Sequence, residues 1–295
     1  MRARYPDQEG YVERGGVRTF YEIYGNGTPT VLFLPAWAIC HSRIWKAQVP
    51  YFARHYRVVT FDPRGNGRSD RPLTSQAYAD TEYVQDALAV MDATRTERAV
   101  MVGLSTGGWL AALLAAHHPD RVLAAVMIGS RSPLGRPLPE RAVYSFEDRL
   151  ETEDGWAKHN RHYWRKDYRG FLEFFFSKVF SEPHSSKHIE DGVAWGLETT
   201  PEVLIATIEG RGVLTHLTEH PEEAVALYRS IRCSVLVIHG DQDKIVSYTH
   251  GVAIAEATGA PVVTVIGGGH HNFGRDPVKT NLVLRAFIDR VCVPQ

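Results

Sequence analysis

Three short segments hold the side chains whose types and order could do covalent chemistry: Gly103-Leu104-Ser105-Thr106-Gly107, Gly240-Asp241-Gln242-Asp243 and Gly269-His270-His271. A serine hydroxyl is a weak nucleophile until a base takes its proton and a third group orients that base. The serine segment directly follows the apolar run AVMV and directly precedes the apolar stretch GWLAALLAA. In that setting Ser105 occupies a tight strand-to-helix turn, with small residues two before and two after it to let the backbone pass closely. The start of the following helix would offer free N–H groups and the positive end of its dipole to a developing oxyanion. A purely structural tight turn is the alternative reading of the same five residues.

The partners of the serine lie later in the chain. VLVIHG precedes Asp241 and Asp243, and VVTVIGGG precedes His270 and His271, so both groups sit just past an apolar, β-branched run. Three glycines, Gly267 to Gly269, let the chain turn sharply after the second run and present the next residue, His270.

The elements that must position these groups can be read from periodicity. VLFLP (31–35), RVVTFD (57–62), AVMVGLS (99–105) and VLAAVMIGS (122–130) read as strands buried on both faces, the pattern of a parallel sheet covered by helices. YVERGG and VRTFYEIYG read as an edge hairpin. The stretches WKAQVPYFARHYR (45–57), TEYVQDALAVMDATRTER and GGWLAALLAAHHPDR have apolar positions at three-and-four spacing and predict helices. The same alternation returns after residue 229. Residues 131–228 break it: a Pro-rich opening, RSPLGRPLP, leads into helical patterning with no clear strand. The chain is therefore read as a core of 1–130 and 229–295 interrupted by a helical cap, 131–228. Between Trp156 and Phe180 nine of 25 residues are aromatic, against 31 of 295 overall, so the cap carries more apolar surface than a linker would. Trp156, Trp164 and Phe175 are its candidate substrate contacts, with packing inside the cap as the alternative.

Taken in order, the serine turn, the segment DPRGNGRSD (62–70), HGDQD and GGGHHNFGRDP resemble landmarks of the α/β-hydrolase fold family, and the resemblance covers nearly all of the chain outside the cap. It implies a mostly parallel central sheet flanked by helices, and a Ser, Asp, His triad. The family's Gly-x-x-Asp pattern aligns Gly240 with Asp243 and leaves Asp241 as the flanking residue. Its Gly-His pattern, with a Pro seven positions after the His, matches Gly269, His270 and Pro277. By the same resemblance the backbone N–H groups of Trp37 and Thr106 form the oxyanion hole. One departure is visible: Pro35-Ala36 stands where many members carry His-Gly. The function implied is a serine hydrolase of the esterase or haloperoxidase-like branch, cleaving a carboxylic ester or related acyl bond of a small hydrophobic molecule through an acyl-enzyme. Carbon–carbon bond hydrolysis, acyl transfer and perhydrolysis can run on the same triad, and a ligand-sensing receptor can reuse the scaffold. A serine rather than an aspartate at the turn argues against dehalogenase and epoxide hydrolase chemistry. No cofactor or metal is expected.

Composition narrows the rest. With 33 Lys and Arg against 34 Asp and Glu the formal charge is −1, which supplies no basic footprint for nucleic acid. Three cysteines, Cys40, Cys233 and Cys292, without CxxC spacing favour neither a disulfide framework nor a zinc site, and point to a reducing compartment. The first sixteen residues have no apolar core of a signal peptide, and no apolar run approaches the length of a membrane span, so a cytoplasmic location is expected. The oligomeric state is left open, with a homodimer among the alternatives. Gly65-Asn66-Gly67-Arg68-Ser69 lacks the Gly-Lys-Ser/Thr ending of a phosphate loop and reads as a loop fixing the sheet edge. Cys40 has no activating motif, and His41, His55 and His239 read as packing or surface residues.

Overall fold

The β-branched runs pair side by side because their side chains are apolar in both directions, so each strand must be covered on two faces. In the computed structural model, which describes residues 4–292, eight strands form one sheet. They are β1 Gln8–Arg14, β2 Val17–Tyr24, β3 Thr30–Leu34, β4 Arg57–Phe61, β5 Ala99–Leu104, β6 Val122–Ile128, β7 Ser234–Gly240 and β8 Val262–Val265. Their order is β1-β2-β4-β3-β5-β6-β7-β8. The β1–β2 and β2–β4 pairs are antiparallel, and every pair from β3–β4 to β7–β8 is parallel. The first three and last three residues of the segments 1–130 and 229–295 lie outside the described residues.

Alternation along a strand divides the interior in two. Val31, Phe33, Val100 and Val102 point into one apolar cluster, while Leu32, Leu34 and Met101 point into the other. The second cluster is closed by α2 (Asp80–Ala93) and α3 (Thr106–His117). Helix α3 is apolar all round, as a helix enclosed by sheet and neighbouring helices must be. The first cluster is closed by α13 (Pro277–Cys292) and by aromatics of the helical segment between β6 and β7. That segment contains no strand among the described residues. It runs through α4 (Pro139–Ala142), α5 (Arg161–Lys166), α6 (Tyr168–Val179), α7 (Ser186–Gly196), α8 (Pro201–Glu209), α9 (Gly212–Glu219) and α10 (Pro221–Ser230). It has no separate interior: Phe171 and Phe175 join the first cluster, while Leu214 and Tyr228 join the second.

One expected element is much reduced. In place of a helix over 45–57 there is a 3-10 turn, Ser42–Trp45, and a single turn of helix, α1 (Val49–Phe52). Pro50 is accommodated in the first turn of a helix, but further in it has no N–H to bond and its ring clashes with the carbonyl four residues back, at a cost of about 3 kcal/mol. An unbroken helix running from Trp45 through that position is therefore disfavoured. Helices α11 (Tyr248–Thr258) and α12 (Asn272–Arg275) complete the chain's second half. The loops leaving the carboxyl ends of β3, β5, β6, β7 and β8 meet on one side of the sheet, where open α/β sheets bind ligands. No helix among the described residues is long and apolar enough to cross a membrane.

Candidate active site

Ser105 sits between β5 and α3 with φ 55° and ψ −113°, a conformation that costs a non-glycine residue of order 1–3 kcal/mol. The turn is held from both sides. The Ser105 N–H donates to the Ile128 carbonyl on β6 at 2.9 Å, and its own carbonyl accepts from the N–H groups of Gly108 and Trp109. The flanking glycines are required by close approach: a Cβ on Gly103 would lie 2.1 Å from the Gly107 carbonyl carbon, and one on Gly107 would lie 2.6 Å from the Pro35 carbonyl oxygen. The serine and the loop after β3 are thus packed backbone to backbone.

Asp243 and His270 meet across the ends of β7 and β8. The His270 Nδ1–H donates to Asp243 Oδ2 at 2.7 Å, which leaves Nε2 as the ring's acceptor. The other carboxylate oxygen accepts from the N–H groups of Ile245 and Val246, at 2.7 and 2.9 Å. Burial pushes the Asp243 carboxyl upward, but the imidazoles of His270 and His239 outweigh it and hold the group ionised far below the usual carboxylate range. Asp241 is placed differently. Its Oδ1 accepts the Gly267 N–H at 2.7 Å and so braces the turn that carries His270.

His271 faces away from the cavity. Its ring lies 4.0 Å from that of Phe273 and 4.9 Å from that of Phe180, and neither nitrogen has a hydrogen-bond partner among the described residues. Burial, with repulsion from His270, pushes its pKa down to about 3. It therefore stays neutral and enclosed, and is turned neither to solvent nor to Ser105.

Ser105 and His270 line one cavity, together with Ala36, Trp37, Thr106, Phe175 and Phe176. The N–H groups of Trp37 and Thr106 have no acceptor among the described residues. Pro35 does not disorganise this loop, because three side chains grip it: Trp45 Nε1 donates to the Leu34 carbonyl, Asn66 Nδ2 donates to the Ala38 carbonyl, and Trp37 Nε1 donates to Thr207 Oγ1. Of the aromatics expected to touch substrate, only Phe175 reaches the cavity wall. Trp156 lies beneath the Arg141 guanidinium, and Trp164 is packed at a tilt between Trp37 and Phe171 with its Nε1–H donated to the Lys158 carbonyl. Both are spent on packing, the outcome that a dense aromatic stripe most often has.

Several groups at the site carry no signal in the sequence. His239 Nε2–H donates to the Val246 carbonyl at 3.0 Å and stands 3.4 Å from Asp243 Oδ2, so the acid is flanked by two imidazoles. Asn66, fully buried, ties the loop after β3 to the Trp195 carbonyl on α7. Arg131, Arg141 and Arg211 line the cavity, and only their convergence in space marks them. Cys40 also lines it, but burial pushes its thiol up to about 12, which makes it inert. One exposed group of potential metal ligands, His216 on α9, His220 between the helices and Glu223 on α10, lies away from the cavity wall.

The sequence profile of the α/β-hydrolase fold matches residues 29–277. A bifunctional esterase/perhydrolase of Acinetobacter calcoaceticus is 28% identical over 81% of this chain and 84% of its own length. A 2-heptyl-3-hydroxy-4-quinolone dioxygenase of Rhodococcus erythropolis is 30% identical over 67% of the chain and 71% of its length. A 2-hydroxymuconate semialdehyde hydrolase of Pseudomonas sp. (strain CF600) is 36% identical, but the match spans 39% of this chain and 41% of that protein. Among solved structures, Est816, described as an N-acyl homoserine lactone degrading enzyme, superposes with a TM-score of 0.75 at 26% identity, covering 94% of this chain and all of the other.

Proposed function

This chain belongs to the α/β-hydrolase fold family as an enzyme of the ester-hydrolase type, and on that premise we propose that it cleaves carboxylic esters through an acyl-enzyme on Ser105. The observation that carries the reading is the Asp243–His270 pair at 2.7 Å opening onto the same cavity as a serine held at positive φ. His270 Nε2 takes the proton from Ser105 Oγ as that oxygen attacks the ester carbonyl carbon. Asp243 holds the imidazole in the tautomer that accepts at Nε2 and stabilises the imidazolium that forms. The negative charge on the carbonyl oxygen is received by the N–H groups of Trp37 and Thr106. Collapse breaks the bond to the alkoxy oxygen, which leaves with the proton from His270. Water, activated by the same imidazole, then releases the acid and restores the serine.

We further infer that residues 131–228 act as a cap over the cavity, supported by Phe175, Phe176 and Arg141 on its wall. The mostly apolar wall favours a substrate with a compact hydrophobic body. The experiment is covalent labelling with a fluorophosphonate, followed by peptide mapping and by turnover of p-nitrophenyl acetate. An adduct on Ser105 that is absent from Ser105→Ala, with loss of turnover by about four decades or more, is the expected result. An adduct elsewhere, or equal labelling of the variant, overturns it.

The dioxygenase relative supplies a second reading, in which the Asp243–His270 pair removes a substrate proton and the resulting carbanion is oxidised by dioxygen, both of whose atoms enter the products. Labelling separates the two, since that chemistry needs no acyl-serine.

A further inference from the structure

Three guanidinium groups face the cavity from three separate elements. Arg131 follows β6, and its N–H donates to the Ser105 carbonyl at 3.4 Å; Arg141 belongs to α4; Arg211 precedes α9. All three, with His159, Ile245 and Val246, also line a second, adjoining and larger cavity, whose wall includes exposed residues such as Pro137 and Glu219. The arginines therefore form the neck between the chamber of Ser105 and the route outward.

None of the three is held in an ion pair. Among the described residues no carboxylate stands at ion-pair distance from them. Asp80 acts on Arg131 and Arg211 at longer range and is itself bonded to the Trp109 Nε1–H and the Leu214 N–H. Asp243, which faces Arg141, is committed to His270 and to two backbone N–H groups. Arg141 donates to the Ile245 carbonyl and lies 4.4 Å over the Trp156 ring; Arg211 lies 5.4 Å from the Trp37 ring centre; the Arg131 side chain has no hydrogen-bond partner among the described residues. Burial and mutual repulsion disfavour the charged form of Arg141 and Arg211, and burial does so for Arg131. Guanidinium does not give up its proton in proteins, so this is a cluster of three cations that Asp80, Asp243 and Glu140 offset only at longer range, with no carboxylate bonded to any of them. His159 does not add to it: burial, with Arg141 and Arg211 beside it, holds that imidazole neutral.

We propose that the neck is a carboxylate subsite, and that the preferred substrate is an ester bearing a second, free carboxylate, such as the half-ester of a dicarboxylic acid. The inference rests on the Ser105 hydrolase reading and names the substrate class of that site. A planar carboxylate matches the two-pronged donor face of guanidinium, while the apolar wall of Phe175, Phe176 and Val179 holds the chain between the two ends. Hydrolysis balances as half-ester plus water giving dicarboxylate, alcohol and a proton.

The test uses two matched esters, mono-p-nitrophenyl adipate and methyl p-nitrophenyl adipate, which differ by one methyl group and one charge. The wild-type enzyme is expected to favour the free acid in kcat/KM by tenfold or more, and Arg211→Gln and Arg131→Gln are each expected to lower that ratio about tenfold. Equal rates on both esters, or a ratio unmoved by both substitutions, overturns the proposal. p-Nitrophenyl acetate turnover and Ser105 labelling are run alongside; failure of these refutes the hydrolase reading instead. Binding to Ser105→Ala, which keeps the arginines, is independent of turnover. Adipate is expected to raise its Tm while hexane-1,6-diol does not. Butane-1,4-disulfonate binding as tightly as adipate would overturn the carboxylate assignment in favour of any anion.

Discussion

Two adjacent pairs of residues separate chemistry from support. Asp243 holds His270, whereas Asp241, two residues earlier in the chain, holds the Gly267 N–H. Asp243→Asn is expected to lower kcat by about 10⁴, since the amide leaves the imidazole in the wrong tautomer. Asp241→Asn keeps an acceptor for Gly267 and is expected to cost less than tenfold. Steady-state kinetics on both, with circular dichroism to show that they fold, decides it, and a reversal of severity refutes the assignment. His270→Ala is likewise expected to abolish turnover, while His271→Ala keeps a substantial part of it because His271 packs on Phe180 and Phe273. The serine turn and the glycine run before His270 were legible in the sequence because they are local, each a loop shape that a few neighbouring residues impose, whereas the choice of Asp243 over Asp241 came from the resemblance to the family's Gly-x-x-Asp pattern. His239 was not, because its role comes from Val246 and Asp243 arriving beside it in three dimensions.

At the level of elements, the inner strands were legible because burial on both faces leaves a continuous apolar run, and their observed limits differ from the expected ones by a residue or two, while the edge strand β1 starts three residues before the expected YVERGG. Residues 45–57 were misread because apolar spacing alone does not register what Pro50 disfavours. The aromatic segment shows the opposite limit: spacing identifies apolar side chains but not which of two faces they fill, so Phe175 reaches the cavity while Trp156 and Trp164 do not. The loop 62–70 works as a clamp, with Asn66 gripping Ala38 and Trp195 from a fully buried position. Asn66→Ala leaves the Ala38 and Trp195 carbonyls without that donor, at a cost of about 1–3 kcal/mol each. The expected outcome is a lower urea midpoint together with a fall in kcat larger than any change in KM, since the loop carries the Trp37 N–H. Unchanged kcat in a destabilised variant would assign Asn66 to stability alone.

Over the whole molecule the net charge of −1 conceals an uneven distribution. Its acids are mostly at the surface or paired with arginines of the loops, as Asp86 is with Arg64, while three cations are gathered at the neck of one cavity. Composition can exclude a basic face for nucleic acid but is blind to such a cluster, which balances to nothing in the sum.

The same uneven burial sets how stability depends on pH. Burial pushes the pKa of His271 down to about 3 and that of His250 down to about 4, against about 6.5 in an unfolded chain. Between these limits the unfolded state binds protons that the native state refuses, so unfolding takes up protons and stability must fall as pH falls. The loss begins near pH 6.5 and continues toward pH 4, with a slope of up to about 1.4 kcal/mol per pH unit for each such histidine. The depressed carboxyl of Asp243 acts in the same direction in a lower window, its contribution being full above the ordinary carboxylate pKa near 3.9 and lost as pH falls below it. Urea unfolding of the wild-type protein at pH 7, 6 and 5 is therefore expected to show a steadily falling midpoint. His271→Gln cannot titrate, and its midpoint is expected to fall less over the same range even if it begins lower at pH 7. Parallel curves for the two proteins would show that His271 is protonated as readily in the native state as in the unfolded one, and would remove it from the enclosed position between Phe180 and Phe273.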